Sequence, residues 1–421
     1  MAITQVYVDP AINANSGTGT IGDPYGDLQY ALNTQARDAT NGNQFNVKAG
    51  TAEVLVASLT LGTYGSLTEG APLVIRGYTA AANDGGIGVI DCGGFTLWAT
   101  FAYADIIMAD LHLHTFGNNA GVNITVNRTA MYNCEIDKGA SSPIGKSLIG
   151  SLGAVIGCYV HDAGTSGLGI DSVNFVIGNY VHSCPTGIRP TTIATGNIVR
   201  NCEITGIVSI FDHLVVIGNT IYCSTAATGS GISIAIANGG SIILNNVIEG
   251  YSGVGGTGIK VSADTNLVGY NAIYNCTNPT SFADKFIDKT DHDVTLGASP
   301  FTNAAGGDFS VGAALKALGW PASFLGASTN TYVDIGAAQR TEPAATAVLD
   351  SAGGTYHAPS ASEVISTAVF GPSSGTPGTF VVPPVAKVEA GYTYGVSDGL
   401  EGELAAAAGG MLAANKRGNK Q

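Results

Sequence analysis

The sequence predicts an all-β solenoid, a parallel β-helix in which short strands stack coil upon coil. Three observations carry this prediction: a segment of four residues recurs, its apolar and polar positions alternate, and Gly or Asn flanks it at presumed bends. Successive segments begin 18 to 27 residues apart, which is a spacing typical of solenoid coils. The eight segments begin at Leu111, Cys134, Cys158, Asn179, Asn197, Asn219, Asn246 and Asn271.

The composition of the chain is compatible with this fold and excludes other classes. Of the 421 residues, 45% are hydrophobic and only 11% are charged, with 59 Gly and 15 Pro. Such a chain can bury a large core, so disorder throughout is excluded. With 17 Lys and Arg against 31 Asp and Glu, the net charge is −14, and no nucleic-acid partner is expected.

The N-terminal region, residues 1–40, predicts a strand followed by a short amphipathic helix. Leu28, Ala31, Leu32 and Gln35 fall on one helical face. We expect this helix to cap the open end of the first coil, because an exposed strand edge invites aggregation.

Residues 41–340 are assigned to the coils. The first position of the repeated segment is Asn in five consecutive coils, and stacked Asn amides can hydrogen-bond along such a column. All seven cysteines fall in this region and none forms a CxxC pair, so we expect buried free thiols rather than disulfides or metal ligands.

Residues 341–421 differ in composition from the coils. They are rich in Ala, Gly, Pro, Ser and Thr, with short alternating runs such as residues 378–382 and an alanine-rich stretch from Glu403 to Asn415. We expect a small β-rich and Ala-rich C-terminal module that serves in attachment or oligomerisation.

Several segments resemble right-handed parallel β-helix proteins. Residues 6–10 with the following helix resemble their entry block, residues 72–78 their first coils and residues 332–337 the segment that closes the repeats. Residues 388–395 resemble C-terminal segments of bacteriophage structural proteins. The resemblance implies a right-handed β-helix of the tailspike, fibre or virion-decoration kind. The same fold also hosts pectinases and lyases.

The fourth position of each segment predicts an outward-facing stripe of polar and aromatic side chains. One interpretation is a glycan-binding groove, and the other is an ordinary solvated sheet face. The residues assigned to glycan binding are His114, His161, His182, Arg200, Tyr222 and Tyr274.

Catalytic candidates come from carboxylates on neighbouring coils. Glycoside hydrolysis needs two carboxylates roughly 5–10 Å apart, and Asp137, Asp162 and Asp171 could supply such a pair. No metal or cofactor is expected: His112 and His114 have a metal-binding spacing but no third ligand in sequence, and the charged residues 284–293 suit a polar loop that closes the last coil.

Two classes of function stay open. The first is a structural protein of a bacteriophage virion: a homotrimer made in the host cytoplasm without a signal peptide or membrane span. It would contact other virion proteins through a terminal module and would bind host-surface polysaccharide. The alternative is a polysaccharide-degrading enzyme, either a hydrolase or a lyase. The lack of a recognisable signal peptide, the free cysteines, the glycine-rich coils and the separate C-terminal module favour the structural role.

Overall fold

The structure is a computed structural model of the chain, which divides into two compact units, Met1–Arg340 and Thr341–Gln421. The structure describes residues 3–12, 15–60, 71–95, 97–99, 105–116, 121–124, 129–137, 147–150, 153–165, 167–235, 240–262, 266–282, 293–311, 315 and 336. The expected C-terminal module, residues 341–421, lies outside the described residues.

The described part of the chain is built almost entirely from short strands. One α-helix, α1, spans Leu28–Thr34, and two 3-10 turns span Pro10–Ile12 and Ala304–Gly306. The strands are β1 Thr4–Val8, β2 Asn43–Lys48, β3 Glu53–Val54, β4 Leu59–Thr60, β5 Leu73–Tyr78, β6 Gly88–Asp91, β7 Leu97–Ala99, β8 Ile106–Ala109, β9 Leu111–His114, β10 Val122–Ile124, β11 Thr129–Tyr132, β12 Glu135–Asp137, β13 Ser147–Gly150, β14 Ala154–Ile156, β15 Tyr159–His161, β16 Leu168–Ile177, β17 Tyr180–His182, β18 Thr186–Thr195, β19 Ile198–Arg200, β20 Thr205–Ser209, β21 Val215–Ile217, β22 Thr220–Tyr222, β23 Ser230–Ile234, β24 Ile242–Leu244, β25 Val247–Glu249, β26 Thr257–Val261, β27 Leu267–Gly269, β28 Ala272–Tyr274, β29 Asn278–Phe282, β30 Val294–Thr295, β31 Phe301–Asn303 and β32 Asp308–Val311.

The strands pair in parallel from coil to coil, and the fold is a right-handed parallel β-helix. Eleven strands form the sheet that we call the front sheet: β3, β6, β9, β12, β15, β17, β19, β22, β25, β28 and β30. Two further faces are joined in one 19-stranded sheet because β16 and β18 each span both faces. Inward side chains of all three faces fill one continuous apolar core.

The predicted asparagine column is a buried hydrogen-bond ladder. In each step the side-chain oxygen of one Asn accepts from the backbone N–H and the Nδ2 of the Asn one coil earlier, as Asn219 does from Asn197 at 3.0 and 2.9 Å. The ladder passes through Asn179, Asn197, Asn219, Asn246 and Asn271 and ends on the carboxylate of Asp293. Its buried amides are therefore satisfied within the described residues, as buried polar groups must be.

The bends that precede the front-sheet strands explain the recurring Gly and Asn. The residue just before each of the eight repeated segments has a positive φ, with values from 48° at Asn133 to 65° at Gly218. Gly and Asn tolerate this left-handed conformation better than other residues, so they recur at these corners.

Elements at the two ends complete the described fold. The predicted helix is present as α1, with Leu28, Ala31 and Leu32 buried; its capping role stays a prediction. All seven cysteines are unpaired and six of them are buried. Near the other end, the antiparallel hairpin β31–β32 packs on the outer side of the front sheet. No described helix is long and apolar enough to cross a membrane.

Candidate functional site

The outer side of the front sheet carries polar and aromatic side chains over four consecutive coils. The inward residues Leu113, Ile136, Val160 and Val181 are fully buried, so their neighbours in each strand face outward. Parallel register then stacks these neighbours in two columns. The outward pairs are His112 and His114, Glu135 and Asp137, Tyr159 and His161, and Tyr180 and His182.

Two histidines and three carboxylates from three adjacent coils meet at the centre of this surface. His112 Nε2 lies 2.8 Å from Asp137 Oδ2 and 4.0 Å from Glu135 Oε1. His161 Nε2 lies 3.2 Å from Glu135 Oε1 and 3.9 Å from Asp137 Oδ2, while its Nδ1 lies 2.9 Å from Asp162 Oδ2. We call these five residues the His–carboxylate cluster.

The corner after β15 positions the last member of the cluster. Asp162 has a φ of 56°, a left-handed conformation that is uncommon for a residue with a side chain. Its backbone N–H donates to the carbonyl of His182 on the next coil, and its carboxylate turns back to His161. The β-helix corner therefore brings a carboxylate to the edge of the sheet surface.

The electrostatic surroundings of two histidines differ. The pKa of His112 is raised because the Asp137 carboxylate accepts a hydrogen bond from the ring and because Glu135 is near. Burial lowers the pKa of His182, and the positive charge of Arg200 lowers it further. Of these two, His112 is therefore the histidine prepared to hold a proton near neutral pH.

Three residues of the cluster lie close enough together to bind a metal ion. Single donor atoms of His112, Glu135 and Asp137 all lie within 4.8 Å of one another, and all three residues are half-buried. Imidazole nitrogen and carboxylate oxygen are ordinary ligands of zinc and of other divalent transition metals. These three residues could hold such an ion.

The three predicted catalytic carboxylates lie in two places. Asp137 and Asp162 both contact His161 and belong to the cluster. Asp171 lies in β16, on the 19-stranded sheet, where Arg189 of the next coil holds it through two hydrogen bonds of 2.5 and 2.7 Å. This ion pair accounts for Asp171 without a catalytic role.

The predicted glycan-binding stripe is split by the hairpin β31–β32. His114, His161 and His182 lie on the open part of the front sheet. Tyr222 is only 8% exposed because Phe301 and Phe309 pack against it. Arg200 donates to the carbonyl of Ala305 at 2.6 Å, so the hairpin occupies its guanidinium.

The remaining candidates of that stripe follow the same division. Glu249, in the same column, accepts a hydrogen bond from Ser299 at 2.7 Å, and Tyr274 is half-buried one coil further on. Of the charged stretch 284–293, only Asp293 lies within the described residues, and there it ends the asparagine ladder.

Sequence reasoning missed Glu135 and Tyr159 and considered His112 only as a metal ligand beside His114; all three face outward in the second column. The alternation that defined the stripe also places these residues outside, since side chains two positions apart in a strand share a face. The patterns His-x-His, Glu-x-Asp and Tyr-x-His at equivalent positions were the available signal.

No protein-family model matches the chain, and no curated protein matches it. Among solved structures, it is similar to pectate lyase Pel9A, with 13% identity over 81% of this chain and 98% of that chain and a TM-score of 0.44. It is also similar to a mannuronic acid specific polysaccharide family 6 lyase from human gut microbiota, with 14% identity over 66% of this chain and 67% of that chain and a TM-score of 0.41. A third similar structure is a GH136 lacto-N-biosidase from Eubacterium ramulus, with 11% identity over 69% of this chain and 68% of that chain and a TM-score of 0.35. At such identities and scores, the function of this chain has to be argued from its own side chains.

Proposed function

We propose that the chain cleaves a polysaccharide by acid–base chemistry at the His–carboxylate cluster. The observation that carries this proposal is the 2.8 Å contact between His112 and Asp137 inside a surface where histidines and carboxylates alternate over three coils. An imidazole oriented by a carboxylate is a common general acid or base, and proton transfer of this kind contributes about 10²–10⁴-fold to a rate.

The hydrogen-bond pattern assigns different roles to the two histidines. Among the described contacts, His112 forms a hydrogen bond at one ring nitrogen only, from Nε2 to Asp137. His161 forms hydrogen bonds at both ring nitrogens, with Glu135 at Nε2 and with Asp162 at Nδ1. His112 can therefore exchange a proton with a substrate at Nδ1 while Asp137 holds Nε2. His161 positions the carboxylates around it.

The surroundings of the cluster suit an extended glycan. The described strands, stacked at about 4.8 Å, present a long and regular face. Tyr159 lies on the same coil as His161 and Tyr180 on the next coil, with ring centroids 5.3 Å apart, and their rings offer flat apolar surfaces beside polar groups. A sugar chain lying along the sheet axis would contact these rings and the cluster together.

The carboxylate spacing distinguishes between mechanisms. One oxygen of Glu135 and one of Asp137 lie within 4.8 Å of each other, so these two carboxylates are not held apart as the pair of an inverting hydrolase is, with room for a water between them. Both oxygens also contact histidine. This arrangement favours proton transfer by His112 over a mechanism that depends on two carboxylates alone.

The test is polysaccharide cleavage by the purified full chain. Bacterial capsular polysaccharides, lipopolysaccharides, pectin and alginate are incubated with the protein, and new reducing ends and unsaturated uronic ends are measured. We expect His112→Gln and Asp137→Asn to lower the rate at least about 100-fold. Asp171→Asn is the matched control, because its ion pair with Arg189 is away from the cluster, and it should retain activity. Failure to cleave any of these glycans, or full activity of His112→Gln, would refute the proposal.

A virion location is a second proposal, and it is compatible with glycan cleavage. It is favoured by the seven unpaired cysteines, because free thiols suit a protein that folds in a reducing cytoplasm, where phage particles assemble. Electron microscopy of particles labelled with an antibody against this chain tests it: labelled tails, fibres or heads would support the location, and particles without label would contradict it.

A further inference from the structure

One face of the β-helix is apolar on its outer side as well as on its inner side. It consists of β8, β11, β14, the C-terminal halves of β16 and β18, β21, β24 and β27, which pair in parallel in that order. We call its outer side the apolar face. Its outward positions form two columns: Ile107, Ala130, Ala154, Phe175, Ile193, Val215, Ile242 and Leu267, and Ala109, Tyr132, Ile156, Ile177, Thr195, Ile217, Leu244 and Gly269.

These columns contain no charged residue and only one hydroxyl amino acid besides a tyrosine. Phe175 is 42% exposed and Leu267 is 44% exposed, and most of the other members are partly accessible. The inward partners in the same strands, such as Val176 and Val268, are buried in the core. A strand that is apolar on both sides is typical of a sheet covered on both faces.

The first strands along the same face show the contrast. There the outward residues form a hydrogen-bonded polar surface: Asn46 donates to Gln5 at 3.0 Å, and Lys48 pairs with Asp9 at 2.6 Å. Arg76 likewise pairs with Asp110. The change from polar to apolar side chains begins at β8, so the apolar character is a local property and not a consequence of the fold.

We propose that the apolar face binds a second copy of this chain. Eight strands at about 4.8 Å spacing and about 12 Å of strand width give a flat projection of about 400 Å². A standard interface buries about 800 Å² per partner, with an apolar core and a polar rim. The two columns have the size and composition of such a core, and exposed Asn174, Thr192 and His213 border it as a rim.

A second copy fits this face better than a partner of another kind. The columns offer no charge for a charged partner to complement, whereas two regular β-helices have the same spacing between coils. Identical columns can therefore pack against each other over their whole length, as symmetric oligomers do. A face-to-face dimer is such an assembly, whereas in the expected homotrimer the apolar face would meet a different surface of the neighbouring copy.

The experiment is sedimentation of the full chain over a range of concentrations, compared with two variants. Phe175→Lys places an ammonium group in the middle of the apolar face. In the proposed assembly this group would lie between two apolar surfaces without a charged partner. We expect the dissociation constant to rise at least about 100-fold. Val254→Lys is the matched control, because Val254 is 95% exposed in a turn away from this face; it should assemble like the unaltered chain.

A mass of two or three chains that falls to one chain in Phe175→Lys supports the proposal. A monomer at micromolar concentration of the unaltered chain, or an oligomer that Phe175→Lys leaves intact, overturns it. Thermal melting by circular dichroism shows whether the variant is folded. Should Phe175→Lys be unfolded, Leu267→Lys at the other end of the face provides the same test.

Discussion

The carboxylate that ends the asparagine ladder should make the protein less stable at neutral pH than at pH 4. Asp293 Oδ1 accepts the backbone N–H of Asn271 at 2.7 Å and its Nδ2 at 3.1 Å. The other oxygen, Oδ2, is buried and has no hydrogen-bond partner among the residues that the structure describes. Burial raises the pKa of Asp293 from 3.8 to about 6 in spite of the two bonds from Asn271.

The direction and size of the effect follow from this shift. Because the folded pKa is raised, folding favours the protonated carboxyl. The contribution to stability is complete below about pH 4 and is lost as the pH rises to about 6. The rise in the pKa of Asp293 from 3.8 to about 6 corresponds to about 3 kcal/mol in the free energy of unfolding. Asp293→Asn keeps an acceptor oxygen for Asn271 and cannot ionise, so it should escape this loss.

The assay is urea unfolding of both proteins at several pH values between 4 and 7. Hydrogen exchange of the peptide containing Asn271 is measured beside it, because end coils of a solenoid can open before the rest. The stability of Asp293→Asn relative to the unaltered chain should grow by up to about 3 kcal/mol from pH 4 to pH 7. The control is Asp308→Asn, since hydrogen bonds from Ser310 lower the pKa of Asp308, and it should show no gain at neutral pH. Equal pH profiles for Asp293→Asn and the unaltered chain would contradict the reasoning.

Two further substitutions test how the coils are stacked. Asn219→Ala removes the acceptor of the buried Asn197 N–H and a donor to the Ala194 carbonyl; we expect a loss of about 2–5 kcal/mol, measured by denaturant unfolding. A loss below 1 kcal/mol would show that water or relaxation replaces the ladder bonds. Gly206→Ala should lower the melting temperature, because a Cβ there would lie 2.6 Å from the Gly231 carbonyl oxygen and 2.6 Å from Ile221 Cγ2. Gly157→Ala is the control, because a Cβ at Gly157 would meet no atom within 4 Å and would add only the milder strain of a positive φ. The melting temperature should fall clearly more in Gly206→Ala than in Gly157→Ala.

The coil architecture was predictable because it repeats. A buried position that recurs in every coil must satisfy the same packing and hydrogen-bond requirements each time, so Asn at the same position in five coils indicates a ladder. The Gly and Asn at the corners were predictable for the same reason, since each corner needs a positive φ. Repetition turns a weak local signal into a reliable one.

Contacts that occur once were not predictable in this way. The ion pair between Asp171 and Arg189 joins residues 18 positions apart, and nothing in the pattern distinguishes Asp171 from a free carboxylate. The hairpin β31–β32 covers Tyr222 from about 80 residues further along the chain. A stripe that the sequence predicts to be continuous is therefore open at one end and covered at the other.

This division of the front sheet bears directly on the proposed function. The His–carboxylate cluster lies on the coils whose repeated segments begin at Leu111, Cys134 and Cys158, while the asparagine ladder begins one coil later, at Asn179. The hairpin meets the open surface where Arg200 donates to Ala305 and where Tyr180 lies 6.4 Å from Phe309 between ring centroids. The hairpin would therefore block a glycan on this sheet at the coil of Arg200, two coils beyond the cluster. Cleavage at His112 should then release short products from one chain end, and the length distribution of the products is the measurement that would show it.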